Sequence, residues 1–334
     1  MKKLRDIPLS LLNLAPIRHG EGTATEALLE TIELARKAEE FGYHRYWIAE
    51  HHNMPAVASA ATSVLVGQVA SATERIKVGS GGIMLPNHAP YVVAEQFGTL
   101  ASLFPGRIDL GIGRAPGTDP WTAQALRRGD AGAGAKDFPA QVAEVRRYLD
   151  PATPKQRVRA IPGEGTNVPL YVLGSSTFGA ALAAQEGLPF VFASHFAPTQ
   201  LAAALEVYRA NFRPSESLEK PQAIVGVNVI AADTDREARR IFTTLQRKFL
   251  TLIRGELQNL PPVDDIDRHW SPQEAAAVED MLRESVVGSP GTVREGLGAL
   301  LKRTGADELI VLTETWDFKD RIRSYELLAE LKSA

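Results

Sequence analysis

Short runs of consecutive apolar residues alternate along this chain with longer stretches whose apolar residues recur at helical spacing. A run that is apolar on both faces cannot lie in a sheet with one wet side, so the pattern implies a parallel sheet covered by helices. Eight runs read as strands: 7–14, 43–49, 76–78, 108–112, 170–173, 190–194, 223–230 and 309–312. Parallel strands that close on themselves expose no edge, and the expected architecture is therefore α/β, a (β/α)8 TIM barrel.

Helices are expected from a cap at Thr25, then over 59–72, 91–103, 138–149, 177–185, 201–211, 235–252, 293–303 and 321–332. Ser271-Pro272-Gln273-Glu274 has the serine, proline and glutamate order of a capping box. Two stretches interrupt the alternation. One, about 115–168, holds the glycine- and alanine-rich run 129–135, which reads as a loop; the other, about 253–285, holds Asp264, Asp265 and Asp267. Those acids lack the spacing of a calcium loop and read as a solvated segment. The expected organisation is one domain over 1–334 with both stretches as insertions at the barrel rim.

Composition removes several function classes. There is no cysteine, which excludes disulfides, thiolate catalysis and cysteine-ligated metals. The formal charge of -3 comes without a basic stripe, so no nucleic-acid partner is expected. No apolar run reaches the roughly 18 residues of a membrane span. Asp6 and Pro8 interrupt the first residues before any signal-like apolar core, which makes a cytoplasmic location the expectation.

In a parallel barrel all strands end at one rim, where sites are built. Glu50-His51-His52-Asn53 ends the second strand. Adjacent residues of an extended segment face opposite ways, so regular geometry sends at most one of these histidines into a pocket. A histidine there suits proton transfer near neutral pH, although a structural pair or a metal-site fragment would look the same. Gly79-Ser80-Gly81-Gly82 lets a ring system approach the backbone, or forms a tight turn with no ligand. Gly111-Ile112-Gly113-Arg114 brings a planar guanidinium suited to a phosphate or to an ordinary ion pair. Gly174-Ser175-Ser176-Thr177 leads into a helix, as a phosphate cradle or a plain N-cap. Pro116 argues against a dinucleotide fold starting its helix there. No three ligands share a metal-site spacing, so no metal is expected. Asn53, His195 and the residues after Leu312 are candidate pocket lining, and Phe104, Trp121, Phe178, Phe192 and Phe196 would make such a pocket apolar.

At these residues the chain resembles the bacterial luciferase-like flavin-dependent monooxygenases, as a non-luminescent single-chain member. The markers run in order over nearly the whole chain: Phe41-Gly42-Tyr43, Trp47 to His52, Lys77 to Pro86, Ala94-Glu95-Gln96, Gly106 to Ala115 and Gly288-Ser289-Pro290. The resemblance implies a TIM barrel using reduced FMN (FMNH2), bound or as a co-substrate, often supplied by a separate NAD(P)H-dependent flavin reductase. It implies that O2 adds to the flavin as a C4a-peroxyflavin, which oxidises a small organic substrate. It further implies that His51 is catalytic and that Gly81-Gly82 form a cis peptide beside the flavin ring. By the same resemblance Arg114 holds the flavin phosphate, Gly174, Ser175, Ser176 and Phe178 belong to the phosphate-binding turn, and the chain is a homodimer. The light-producing subunit has a reactive cysteine where this chain has Gly113, so no luminescence is expected. Two alternatives stay open. One is an F420- or flavin-dependent dehydrogenase, since related barrels bind F420; the other is a non-catalytic flavin-binding barrel. The residues name no particular organic substrate.

Overall fold

Eight parallel strands close into a barrel in the computed structural model, which describes residues 2–20, 22–127 and 136–333. They are β1 (Leu9–Asn13), β2 (Arg45–Ile48), β3 (Lys77–Met84), β4 (Ile108–Gly113), β5 (Leu170–Gly174), β6 (Phe190–Phe192), β7 (Ala223–Ala231) and β9 (Glu308–Leu312). Neighbours pair in chain order, β6 joins β7, and β9 lies between β7 and β1. A ninth strand, β8 (Val286–Gly288), was not expected. It pairs only with Val229–Ala231, the end of β7 that runs on past its pairing with β9. Three residues carry no periodicity, which is why this strand escaped the sequence reading.

The helices are α1 (Ala24–Glu40), α2 (Thr62–Ser71), α3 (Pro90–Leu103), α4 (Pro120–Arg127), α5 (Phe138–Leu149), α6 (Thr177–Glu186), α7 (Leu201–Asn211), α8 (Asp235–Ile253), α9 (Pro272–Leu282), α10 (Pro290–Thr304) and α11 (Phe318–Ser333). The segment between β4 and β5 carries α4 and α5, and the one between α8 and β8 carries α9. The loop expected at 129–135 lies outside the described residues. None of the described helices is long and apolar enough to cross a membrane.

Local chemistry sets several boundaries. Thr23, not Thr25, caps α1: its Oγ1 accepts from Glu26 N at 3.1 Å and the Glu26 carboxylate accepts from Thr23 N at 2.8 Å. The reciprocal pair needs a glutamate three residues on, which Thr25 lacks. Ser271 and Glu274 form the expected box at α9. The glycine-rich run 79–82 is no turn. It lies inside β3, with a register shift between Ser80 and Ile83 and a cis peptide at Gly81-Gly82. Glycine is required by the approach of β4, since a Cβ at Gly79 would stand 2.4 Å from Asp109 O and one at Gly82 2.7 Å from Gly111 O.

The barrel interior is layered. Near the strand starts, Arg45 Nε and Nη2 donate to Glu308 at 2.7 and 3.1 Å, and Nη1 donates to Asp109 at 2.5 Å and to Tyr171 Oη at 2.9 Å. Burial disfavours the Arg45 charge, but Glu308 and Asp109 outweigh it and hold the guanidinium protonated. Above this layer Leu12, Trp47, Val191, Ile224, Ile310 and Leu312 pack together without ions. Trp47 Nε1 ties the layers by donating to Asp109 at 3.1 Å.

Candidate functional site

A cavity of 460 Å³ opens above the apolar layer, at the strand C-termini. Its walls include His51, Gly81, Gly82, Arg114, Gly174, Ser175, Ser176, Phe178 and His195, so residues scattered through the sequence meet around one space. Leu12, Trp47, Met54, Phe192, Phe249 and Leu252 make much of the remaining wall apolar.

His51 follows β2 by a few residues, and its ring lines the cavity while that of His52 does not. This is the opposed orientation that adjacent residues of an extended segment take. His51 Nδ1 lies 3.4 Å from Gly117 O. A carbonyl only accepts, so Nδ1 carries the proton and Nε2 is left as the acceptor. Burial, with nearby Lys248, holds the His51 pKa below its ordinary 6.5.

His195 follows β6, and a Cβ at Gly226 would come within 2.6 Å of its Nδ1, which is buried without a hydrogen-bond partner. Burial, then Lys248, then His51 lower its pKa from 6.5 to about 3. Between those values the unfolded chain binds a proton that the folded chain does not. The stability associated with neutral His195 is therefore complete above pH 6.5 and is lost as the pH falls toward 3. The slope from this residue approaches about 1.4 kcal/mol per pH unit. Urea-unfolding midpoints measured from pH 7 to pH 4 should accordingly fall less steeply in His195→Gln than in the wild type. Parallel curves would remove the buried neutral imidazole from the account.

On the neighbouring strand end, Ser175 and Ser176 stand between β5 and α6. Ser176 is the N-cap of α6 but does not cap the helix with its own hydroxyl. Beside this turn the Arg114 guanidinium stacks on Phe178, 4.1 Å from the ring centroid.

Other expectations are corrected. Asn53 is exposed and not part of the cavity wall; its Nδ2 donates to Asp119 Oδ2 at 3.0 Å and ties the loop after β2 to the loop after β4. Thr118 Oγ1, donating to His52 O at 2.9 Å, makes a second tie between the same loops. Phe178, Phe192 and Phe196 line the cavity, whereas Phe104 and Trp121 do not. Phe104 ends α3, close to the start of β4 and so at the opposite end of the barrel, and Trp121 on α4 is 82% exposed.

Two groupings escaped the sequence reading. Lys248 on α8 lies 2.6 Å from both carboxylate oxygens of Glu314, and both residues line the cavity. Glu314 does fall among the residues after Leu312 that were expected at the pocket, but Lys248 sits on a charged helix that resembles a solvated face. Glu50, His52 and His88 converge in a second cluster outside the cavity wall. Burial would raise the Glu50 pKa, yet hydrogen bonding to His52 and His88 outweighs it and brings the value down to about 2.

Comparison with known proteins gives a consistent picture. Residues 10–308 match the family profile described as luciferase-like monooxygenase. A luciferase-like monooxygenase of Escherichia coli (strain K12) is 52% identical over 329 residues, covering 98% of each chain. The N-acetyl-S-alkylcysteine monooxygenase of Bacillus subtilis (strain 168) is 31% identical, with 97% of this chain and 98% of that one covered. The solved structure of apo-MsnO8 matches with a TM-score of 0.87 and 36% identity over 98% of both chains.

Proposed function

Since the chain belongs to the luciferase-like monooxygenase family, we propose that it uses reduced FMN and O2 to oxygenate a small organic substrate. The observation that carries this reading is that a guanidinium and a serine-bearing helix start share one cavity with an apolar, histidine-bearing space. Arg114 would hold the flavin phosphate through charge-assisted hydrogen bonds. Gly174, Ser175, Ser176 and the first turn of α6 would add backbone and hydroxyl donors at a helix N-terminus. Phe178 keeps the guanidinium beside that turn. Gly81 and Gly82 present a wall without side chains to a flat ring.

FMN, when bound and reduced, supplies the activation of O2. The protein would contribute a largely apolar space and a proton acceptor at His51 Nε2. His195 forms a second neutral wall, and the Lys248–Glu314 pair adds a polar spot within an apolar surface. A separate flavin reductase would deliver the reduced cofactor. Thioethers are the first substrates to assay, because a relative is named as an N-acetyl-S-alkylcysteine monooxygenase.

Anaerobic titration of the protein with reduced FMN, followed by 18O2 and N-acetyl-S-methylcysteine or other candidate substrates, tests the reading through 18O in the product. Retention of F420 in place of FMN, with anaerobic oxidation of substrate, would overturn it in favour of a dehydrogenase. Arg114→Ala should weaken FMN about 30-fold, near 2 kcal/mol, while leaving riboflavin, which lacks the phosphate, unchanged. Equal loss for both flavins would take Arg114 out of phosphate binding.

A further inference from the structure

Outside the cavity wall, Glu50 Oε1 lies 2.9 Å from His52 Nε2 and 2.8 Å from His88 Nε2. The three potential ligand atoms all lie within 4.8 Å of one another. They come from two different loops, the one after β2 and the 3-10 turn after β3, so no sequence spacing could announce them. The Glu50 side chain is 1% exposed, those of His52 and His88 13% and 30%. The cluster thus has a sealed carboxylate side and a side open to solvent.

We propose that Glu50, His52 and His88 form a three-ligand site for a divalent transition-metal ion of the zinc type. Two imidazole nitrogens and one carboxylate oxygen are a donor set such ions favour, with water completing a tetrahedron from the open side. The buried carboxylate brings the negative charge that an ion needs where solvent is scarce. Its other oxygen is already used: Met84 N donates to Glu50 Oε2 at 3.3 Å and aims Oε1 at the histidines. Backbone contacts fix the ring carriers as well, through Thr118 Oγ1 to His52 O at 2.9 Å and His88 N to Leu85 O at 3.0 Å.

Ligand atoms bonded at 2.0–2.1 Å in a tetrahedron stand about 3.3 Å apart. The two nitrogen–oxygen separations are about half an ångström shorter than that, a gap that small side-chain rotations open. The ion would replace the two imidazole–carboxylate hydrogen bonds and pin the β2 and β3 loops together. The residue after Glu50 is His51, whose ring faces the cavity, so this ion would be a structural pin at the mouth and take no part in the oxygenation chemistry. The inference does not depend on the flavin reading.

The test is calorimetric titration of chelator-treated, dialysed full-length protein with Zn2+, repeated with Co2+ as an absorbing probe. Saturation at one ion per chain is expected, with a cobalt spectrum of tetrahedral intensity and a higher Tm for the zinc-loaded protein. His88→Gln (H88Q), whose amide can still donate to Glu50, should weaken binding at least 30-fold. His269→Gln, at a half-buried histidine paired with Asp264 outside the cluster, should leave binding unchanged and so separates this cluster from adventitious sites. Absence of saturable binding in the wild type overturns the proposal whatever the variants do, and so does zinc affinity that is equal in wild type and H88Q. Either result would leave the three side chains as a purely hydrogen-bonded set.

Discussion

Replacing His51 by alanine should slow oxygenation of substrate about a thousandfold while FMN affinity stays within about twofold of the wild type, an effect in the range of a lost general acid or base. The asymmetry follows from the layout of the cavity. His51 enters from the loop after β2, whereas Arg114, Ser175 and Ser176 enter from the loops after β4 and β5. Removing the imidazole therefore deletes the proposed proton acceptor without disturbing the proposed phosphate cradle. Because burial keeps the His51 pKa below 6.5, the acceptor is neutral at pH 7, and the wild-type rate should fall only on the acid side of 6.5. His51→Ala should lack that limb. Product formation from 18O2 with reduced FMN supplied, followed against pH in both proteins, measures the effect. A parallel collapse of FMN binding would instead make His51 a structural support for the cofactor.

Arg45→Leu should cost about 3–5 kcal/mol of stability, because it strips the partner from two buried carboxylates. Glu308 and Asp109 are each 1% exposed, and Arg45 reaches both. Burial already raises the Glu308 pKa, against the downward pull of Arg45. Without the guanidinium that pKa climbs further, so the folded variant binds protons that its unfolded chain releases. The variant should therefore gain stability relative to the wild type as the pH falls, and the deficit should be larger at pH 8 than at pH 5. Urea midpoints at the two pH values check this. A deficit independent of pH would point to lost packing rather than stranded charge.

The periodic part of the architecture was legible because two-sided burial leaves a mark on every barrel strand. What a strand approaches leaves no such mark. The run 79–82 read either as a wall open to a ring system or as a tight turn, yet it lies inside β3, where Gly79 and Gly82 allow the close contact with β4. Asn53 looked like pocket lining because it follows two histidines, but its side chain is spent on Asp119 from another loop. His51, Arg114 and Ser175 could be expected to meet around one space because they stand at strand ends that the topology gathers at one rim. Lys248 stands mid-helix, and only the lie of α8 over the mouth brings it to the cavity. His88 joins Glu50 and His52 through a meeting of loops that no local pattern encodes.

The layered interior bears on how chains of this kind diverge. Arg45, Asp109, Glu308 and Ser10 interlock beneath the cavity, and none of them forms part of its wall. The wall is drawn from all eight barrel strands or the connections that follow them. Apart from Trp47, which donates to Asp109, substitutions there alter what the mouth admits and leave the contacts of the ionic layer in place. Descent can thus try new guests one loop at a time, and each trial is judged by what it binds rather than by whether the chain still folds.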